Sequence, residues 1–288
     1  MDVTDQGRVA VPGGEVAYRI AGRGERTLLT LHGGPGAPSS YIWSLADLAG
    51  DDLRVVFWDQ LGCGESDQPD DPSLWRVDRF VDEVEAVRQG LGLGRVDLLG
   101  QSWGGMLAQE YALAHPDAVR TLILASTIAS SAFHRQELAR LVADLPDWAR
   151  EPIQRAVATG DHDQPGYEQA VAEAYRRHVC RIPYPPDVVR SFDAMAMPVY
   201  GTMWGPDEFL FTGNLADWDV TDRISAITAP TLITVGRHDE LTPASAQRIQ
   251  ERIVGSELVV FEDSAHLAHW EERERYMDVV RDFLRRHP

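Results

Sequence analysis

"GQSWGG", residues 100–105, lies between a short apolar run, "RVDLLGQS" (95–102), and a segment that reads as a helix, "MLAQEYALAHP" (106–116). A G-x-S-x-G between a strand and a helix is a nucleophile elbow: the turn is too tight for large neighbours, which explains the glycines, and it lifts the serine to the top of a sheet. Ser102 is therefore the expected nucleophile. An ordinary loop with a serine and glycines is the bland alternative, and the strand-turn-helix context disfavours it.

Working outward, "TLLTLHGG" (27–34) and "LRVVFWDQ" (53–60) read as further buried strands, rich in branched residues and bounded by Gly or Asp. Between the second of these and the elbow strand, "DRFVDEVEAVRQGLGL" has apolar residues at helical spacing and a glycine stop. Repeated β-α-β order implies an α/β fold, a mostly parallel sheet with helices on both faces. After "TLILAS" (121–126) the pattern changes, and residues 127–222 are helical and rich in Trp, Tyr and Pro. "PTLITVGRHDE" (230–240) and "SELVVFED" (256–263) restore the alternation, and an amphipathic helix, "WEERERYMDVVRDFLRR", closes the chain. The expected organisation is one α/β core, residues 1–126 and 223–288, carrying a helical cap over 127–222.

A serine hydroxyl is a weak nucleophile near neutral pH, so it needs a base, and the base needs an orienting acid. "VGRHDELTP" supplies Asp239 after one late strand and "EDSAHLAHW" supplies His266 after the next. His238 and His269 compete for the base, and Asp219 and Asp222 for the acid. His266 is preferred because it lies in the short loop beyond the strand, whereas His269 starts the final helix. "HGGPG" (32–36) ends an early strand with a turn free of side chains, suited to aim backbone N–H groups at an oxyanion. Gly34 and Trp103 are the expected donors, with His32 structural.

Composition removes other classes. The formal charge of −18 argues against phosphate-backbone partners, and all 27 basic residues are arginine. No apolar run is long enough to cross a bilayer, and no basic-then-apolar leader opens the chain, so a cytoplasmic protein is expected. Cys63 and Cys180 lack metal or disulfide spacing and are expected to be buried thiols. No cofactor and no metal are expected.

Taken together, "HGGPG", "DQLGCGES" (59–66), "GQSWGG", "GRHDE" and "SAHLAHWE" resemble the proline iminopeptidase family of α/β-hydrolase serine peptidases. From Gly205 onward the chain is most similar to the tricorn-interacting aminopeptidase branch, whose specificity is broader than proline. The resemblance is weakest from about 130 to 197, within the cap. It implies an α/β-hydrolase fold and release of an N-terminal amino acid through an aminoacyl-enzyme. It also implies that the free α-ammonium is bound by two glutamates, one in a cap "GPxEF" segment and one directly after the catalytic aspartate. Here these are Glu208, in "GPDEFLF" (205–211), and Glu240. A cation entering a partly dry pocket needs charged partners, and two carboxylates can share its three N–H donors. Asp207, beside Glu208, is expected to be solvated, and the cap aromatics to be mostly core. The expected substrate is a short peptide, an amide or an aminoacylated small molecule with a free amine. Removal of an aminoacyl cap from a natural-product intermediate is one alternative. A carboxylesterase or lactonase with the same triad is a second, and a slow-turnover binding protein a third.

Overall fold

The computed structural model describes residues 2–288. An antiparallel hairpin, β1 (Asp5–Val11) and β2 (Gly14–Ala21), precedes β3 (Arg26–Leu31), β4 (Leu53–Trp58), α1 (Val77–Gly90), β5 (Val96–Gln101), α2 (Trp103–Ala114) and β6 (Val119–Ala125). Five helices follow: α3 (Ser131–Ala143), α4 (Asp147–Thr159), α5 (Tyr167–His178), α6 (Pro186–Asp193) and α7 (Met197–Met203). The chain then returns through β7 (Thr231–Gly236), α8 (Pro243–Gln250), β8 (Glu257–Phe261), α9 (Ala268–Glu271) and α10 (Arg273–Arg286).

The eight strands form one sheet in the order β1-β2-β4-β3-β5-β6-β7-β8, parallel from β4 to β8 and antiparallel at the β1-β2-β4 edge. Alternate residues of each parallel strand enter opposite layers, as the two-residue period of a strand requires. On β4, Val56 and Trp58 join Phe80, Val84 and Met106 from α1 and α2, while Val55 and Phe57 join Ile42, Val280 and Phe283 on the other face. A strand buried on both faces has to be apolar throughout, which is why these strands read as continuous runs.

The hairpin has no such run, because its edge position leaves most of β1 exposed. Its strands are therefore absent from those read from the sequence. The single terminal helix expected from Trp270 is broken at Glu272, whose carboxylate accepts from Asp263 N and from Ser264 Oγ. Between β6 and β7 the only strand-like pairing among the described residues is a bridge from Ser130 to Asp219. This helical segment is not uniform. Parts of α3, α4 and α5 share a small core of their own, including Leu138, Ile153, Ala170 and Phe209, whereas Tyr200, Met203, Phe211 and Leu215 join the main core.

The elbow is backbone packed on backbone. A Cβ on Gly100 would lie 2.1 Å from Gly104 O, and one on Gly104 would lie 2.1 Å from Leu31 O. Neither obstacle is a side chain that could swing away. Gly104→Ala is expected to destabilise the fold by about 3 kcal/mol or more, read as the shift in a urea unfolding curve; an unchanged midpoint would contradict this packing.

Candidate active site

Ser102 connects β5 to α2 with φ +58°, a left-handed conformation uncommon for a residue with a side chain. Its own N–H is held by Ala125 O and Ser126 O at the end of β6, at 3.0 and 3.1 Å. The N–H groups of Gly34 and Trp103 have no hydrogen-bond partner among the described residues. Gly34 adopts φ +109°, and a Cβ there would lie 2.4 Å from Ala37 N.

His266 follows β8 and lies beside Asp239, which follows β7: His266 Nδ1 is 2.9 Å from Asp239 Oδ1. The same oxygen accepts from Leu241 N at 2.8 Å. Burial alone would lower the basicity of the His266 ring. The carboxylate of Asp239, then its hydrogen bond, then Glu240 and Glu208 more than reverse this and raise the ring to about 9. No hydrogen bond joins Ser102 Oγ to His266, but both line one cavity of about 240 Å³.

Gly34, Glu208 and Glu240 line that cavity as well. Asp239 sits behind His266, and the Trp103 side chain points into the core, its ring edge against Phe80 at 5.6 Å. The seven residues singled out from the sequence therefore converge. The competing residues do not: His269 faces away, its Nδ1 2.8 Å from Ser44 Oγ, and burial pushes it down to about 3. His238 is half-buried outside the cavity, Asp219 accepts from Thr221 N, and Asp222 meets Arg252 at the surface.

Glu208 accepts a 2.7 Å hydrogen bond from Tyr200 Oη, and the Glu240 carboxylate has no hydrogen-bonded partner among the described residues. Burial raises both carboxyls, and Glu240 is raised further by the charge of Glu208. No arginine lines the cavity. Asp207 is half-exposed and also has a structural part: it accepts from Phe209 N, Leu210 N and Tyr167 Oη at 2.9, 3.1 and 2.7 Å. It thereby ties the loop that presents Glu208. Of the aromatic residues between β6 and β7, Tyr175, Phe192 and Tyr200 line the cavity, Trp204 and Phe211 are buried, and Trp148 is exposed.

Several supports have no signal in the sequence beyond their place in a motif. Gln60 donates to His32 O at 2.9 Å and accepts from Trp103 Nε1 at 3.0 Å, so it clamps the "HGGPG" loop to the elbow. His32 is structural as expected, its Nε2 accepting from Gln60 N. Tyr41 Oη accepts from Gly33 N and donates to Gln101. Glu271 accepts from Ala265 N and Leu267 N on either side of His266. The end of α5 reaches over both late loops, with His178 O accepting from Glu240 N and Val179 O from His266 N, each at 3.1 Å. Cys63 and Cys180 are buried free thiols. Among the described residues no His, Cys, Asp and Glu side chains group in threes as metal ligands, and no helix is long and apolar enough to cross a membrane.

The model of the alpha/beta hydrolase fold family matches residues 26–273. The proline iminopeptidase of Saccharolobus solfataricus is 43% identical over 270 residues, 93% of this chain and 87% of that protein. The chain belongs to the proline iminopeptidase family. Among solved structures, the Mycobacterium smegmatis proline iminopeptidase superposes with a TM-score of 0.92 at 37% identity, covering 98% of both chains. VinJ superposes with a TM-score of 0.94 at 36% identity, covering 100% of both. Membership makes the chain a hydrolase of the serine peptidase type, with the α/β-hydrolase fold described above.

The electrostatics of His266 can be tested directly. Asp239→Asn removes the principal charge that raises the ring and leaves the burial that lowers it, with Glu240 and Glu208 still in place, so His266 is expected to titrate clearly lower in the variant than the wild type's value of about 9. Imidazole ¹⁵N NMR over a pH series reads both, and a ring that stays near 9 in the variant would contradict the assignment.

Proposed function

We propose that this chain is a serine aminopeptidase or amino-acid amidase, releasing an N-terminal amino acid from a short peptide, an amide or an aminoacylated small molecule. One observation carries the reading. Two carboxylates, Glu208 and Glu240, face the cavity that holds Ser102 and His266, and no arginine shares it. An ammonium ion adds positive charge beside the two carboxylates and brings three donors. Fixed there, it also measures distance, since only the first carbonyl of the substrate then reaches Ser102.

In this reading His266, oriented by Asp239, takes the proton of Ser102 as the oxygen attacks that carbonyl. The N–H groups of Gly34 and Trp103 receive the developing oxyanion. His266 then gives the proton to the leaving amine, and water hydrolyses the aminoacyl-enzyme by the same route in reverse. Residues 127–222 act as the cap that supplies Glu208 and encloses the amine. An ammonium arriving between the glutamates favours their ionised forms, so both carboxylates lose any shared proton as substrate binds.

An esterase with the same triad has no use for Glu208. Glu208→Gln is therefore expected to raise KM for an aminoacyl-β-naphthylamide about 10- to 100-fold, with p-nitrophenyl acetate hydrolysis close to wild type. Equal loss on both substrates would assign Glu208 to the fold, and no loss on either would favour the esterase.

A further inference from the structure

His134 is a buried titratable side chain that the chemistry above does not use. It lies in the first turn of α3, and neither ring nitrogen has a partner among the described residues. Its helix neighbours define what it faces. Phe133 lies 5.1 Å from the Arg248 guanidinium of α8, and Glu137 accepts a 2.8 Å hydrogen bond from Thr242, three residues beyond Asp239. This face of α3 is thus turned toward the segment that runs from Asp239 into α8. The ring also packs on Trp204 and Phe211, at 5.7 and 6.1 Å, and these two stack at 3.9 Å across the ends of the loop bearing Glu208.

Asp239 is short of a partner in the same region. Its Oδ1 takes both His266 and Leu241 N, while its buried Oδ2 has no donor from the described residues. Leaving a carboxylate oxygen dry and unpaired is costly and frees the group to rotate. Burial lowers the His134 ring to about 4, and of the surrounding charges Asp239 acts on it most strongly, followed by His266, Arg135 and Glu137. A neutral imidazole has one N–H to give and one nitrogen that accepts. Asp239 Oδ2 needs the first, and the unpartnered Trp204 indole N–H suits the second.

We propose that His134 is a positioning residue for the triad acid, its ring N–H supporting Asp239 Oδ2 through one bridging water. Such a bridge needs only two or three polar partners. It rests on the assignment of Asp239 and His266 as acid and base. A carboxylate held at both oxygens keeps Oδ1 on His266 Nδ1, and so keeps the other ring nitrogen free to receive the serine proton.

The test compares wild type, His134→Phe and His134→Gln on an aminoacyl-β-naphthylamide and on p-nitrophenyl acetate, with the downfield proton signal of His266 Nδ1–H as the second readout. Phenylalanine suits the aromatic surroundings and removes the donor, and glutamine restores one. His134→Phe is expected to lower kcat about tenfold or more on both substrates, to leave KM within about twofold and to shift the His266 signal, with His134→Gln recovering most of the rate. A folded His134→Phe with wild-type kcat and an unmoved signal overturns the proposal, as does a rise in KM alone. Independently of any variant, the His134 ring N–H of the wild type is expected to be protected from solvent exchange, and exchange as fast as free imidazole overturns it too. Retained hydrolysis in Ser102→Ala overturns the triad assignment and this proposal with it, a result distinct from unchanged kinetics in His134→Phe.

Discussion

Three backbones meet at the elbow with no space for an added carbon. Gly100 sits against Gly104 O, and Gly104 against Leu31 O at the end of β3. Because β3, β5 and the start of α2 approach this closely, the Gly34 and Trp103 N–H groups and Ser102 come to one side of the sheet. The other site residues depend on that meeting point. Gln60 reaches from the β4 loop to both sides of it, and Tyr41 and Gln101 join it to the loop of His266. The late strands β7 and β8, parallel and adjacent, then deliver Asp239 and His266 to the same edge.

A second constraint is charge. Asp239, Glu208 and Glu240 all act on the one imidazole of His266, in a cavity without arginine. The chain has 27 arginines, but many of its ion pairs are solvent-exposed, such as Arg237 with Glu262 and Arg281 with Asp278, where they contribute little to stability. Burial raises both Glu208 and Glu240, so holding them ionised without a nearby partner carries a cost. In the proposed function a substrate ammonium offsets that cost. The same charges favour the imidazolium, the form His266 takes once it has accepted the serine proton.

What was legible in the sequence follows from how local each feature is. The elbow, the parallel strands, Asp239 and His266 are short patterns with a strand on one side, and the structure assembles them as read. Glu208 lies in a loop without periodicity, and only the resemblance of its segment pointed to it. The bonds Asp207 makes were not legible, because a carboxylate beside glycine and proline gives no hint of the two backbone N–H groups and the tyrosine it accepts from. Tyr41 and Gln101 are 60 positions apart, and Arg181 N and Glu271 are 90 apart, so these contacts have no local signature. His134 escaped notice because one histidine in an amphipathic helix is indistinguishable from any other until the helix is packed.

If the cavity binds a free α-ammonium beside Ser102, blocking that amine must cost activity. The most direct measurement is kcat/KM for an aminoacyl-β-naphthylamide and for its N-acetylated counterpart, at one pH with the same side chain. Acetylation removes the charge and adds a group that the two glutamates have no means to solvate. A fall of about 100-fold or more is expected on acetylation. Equal turnover of the two substrates would contradict it.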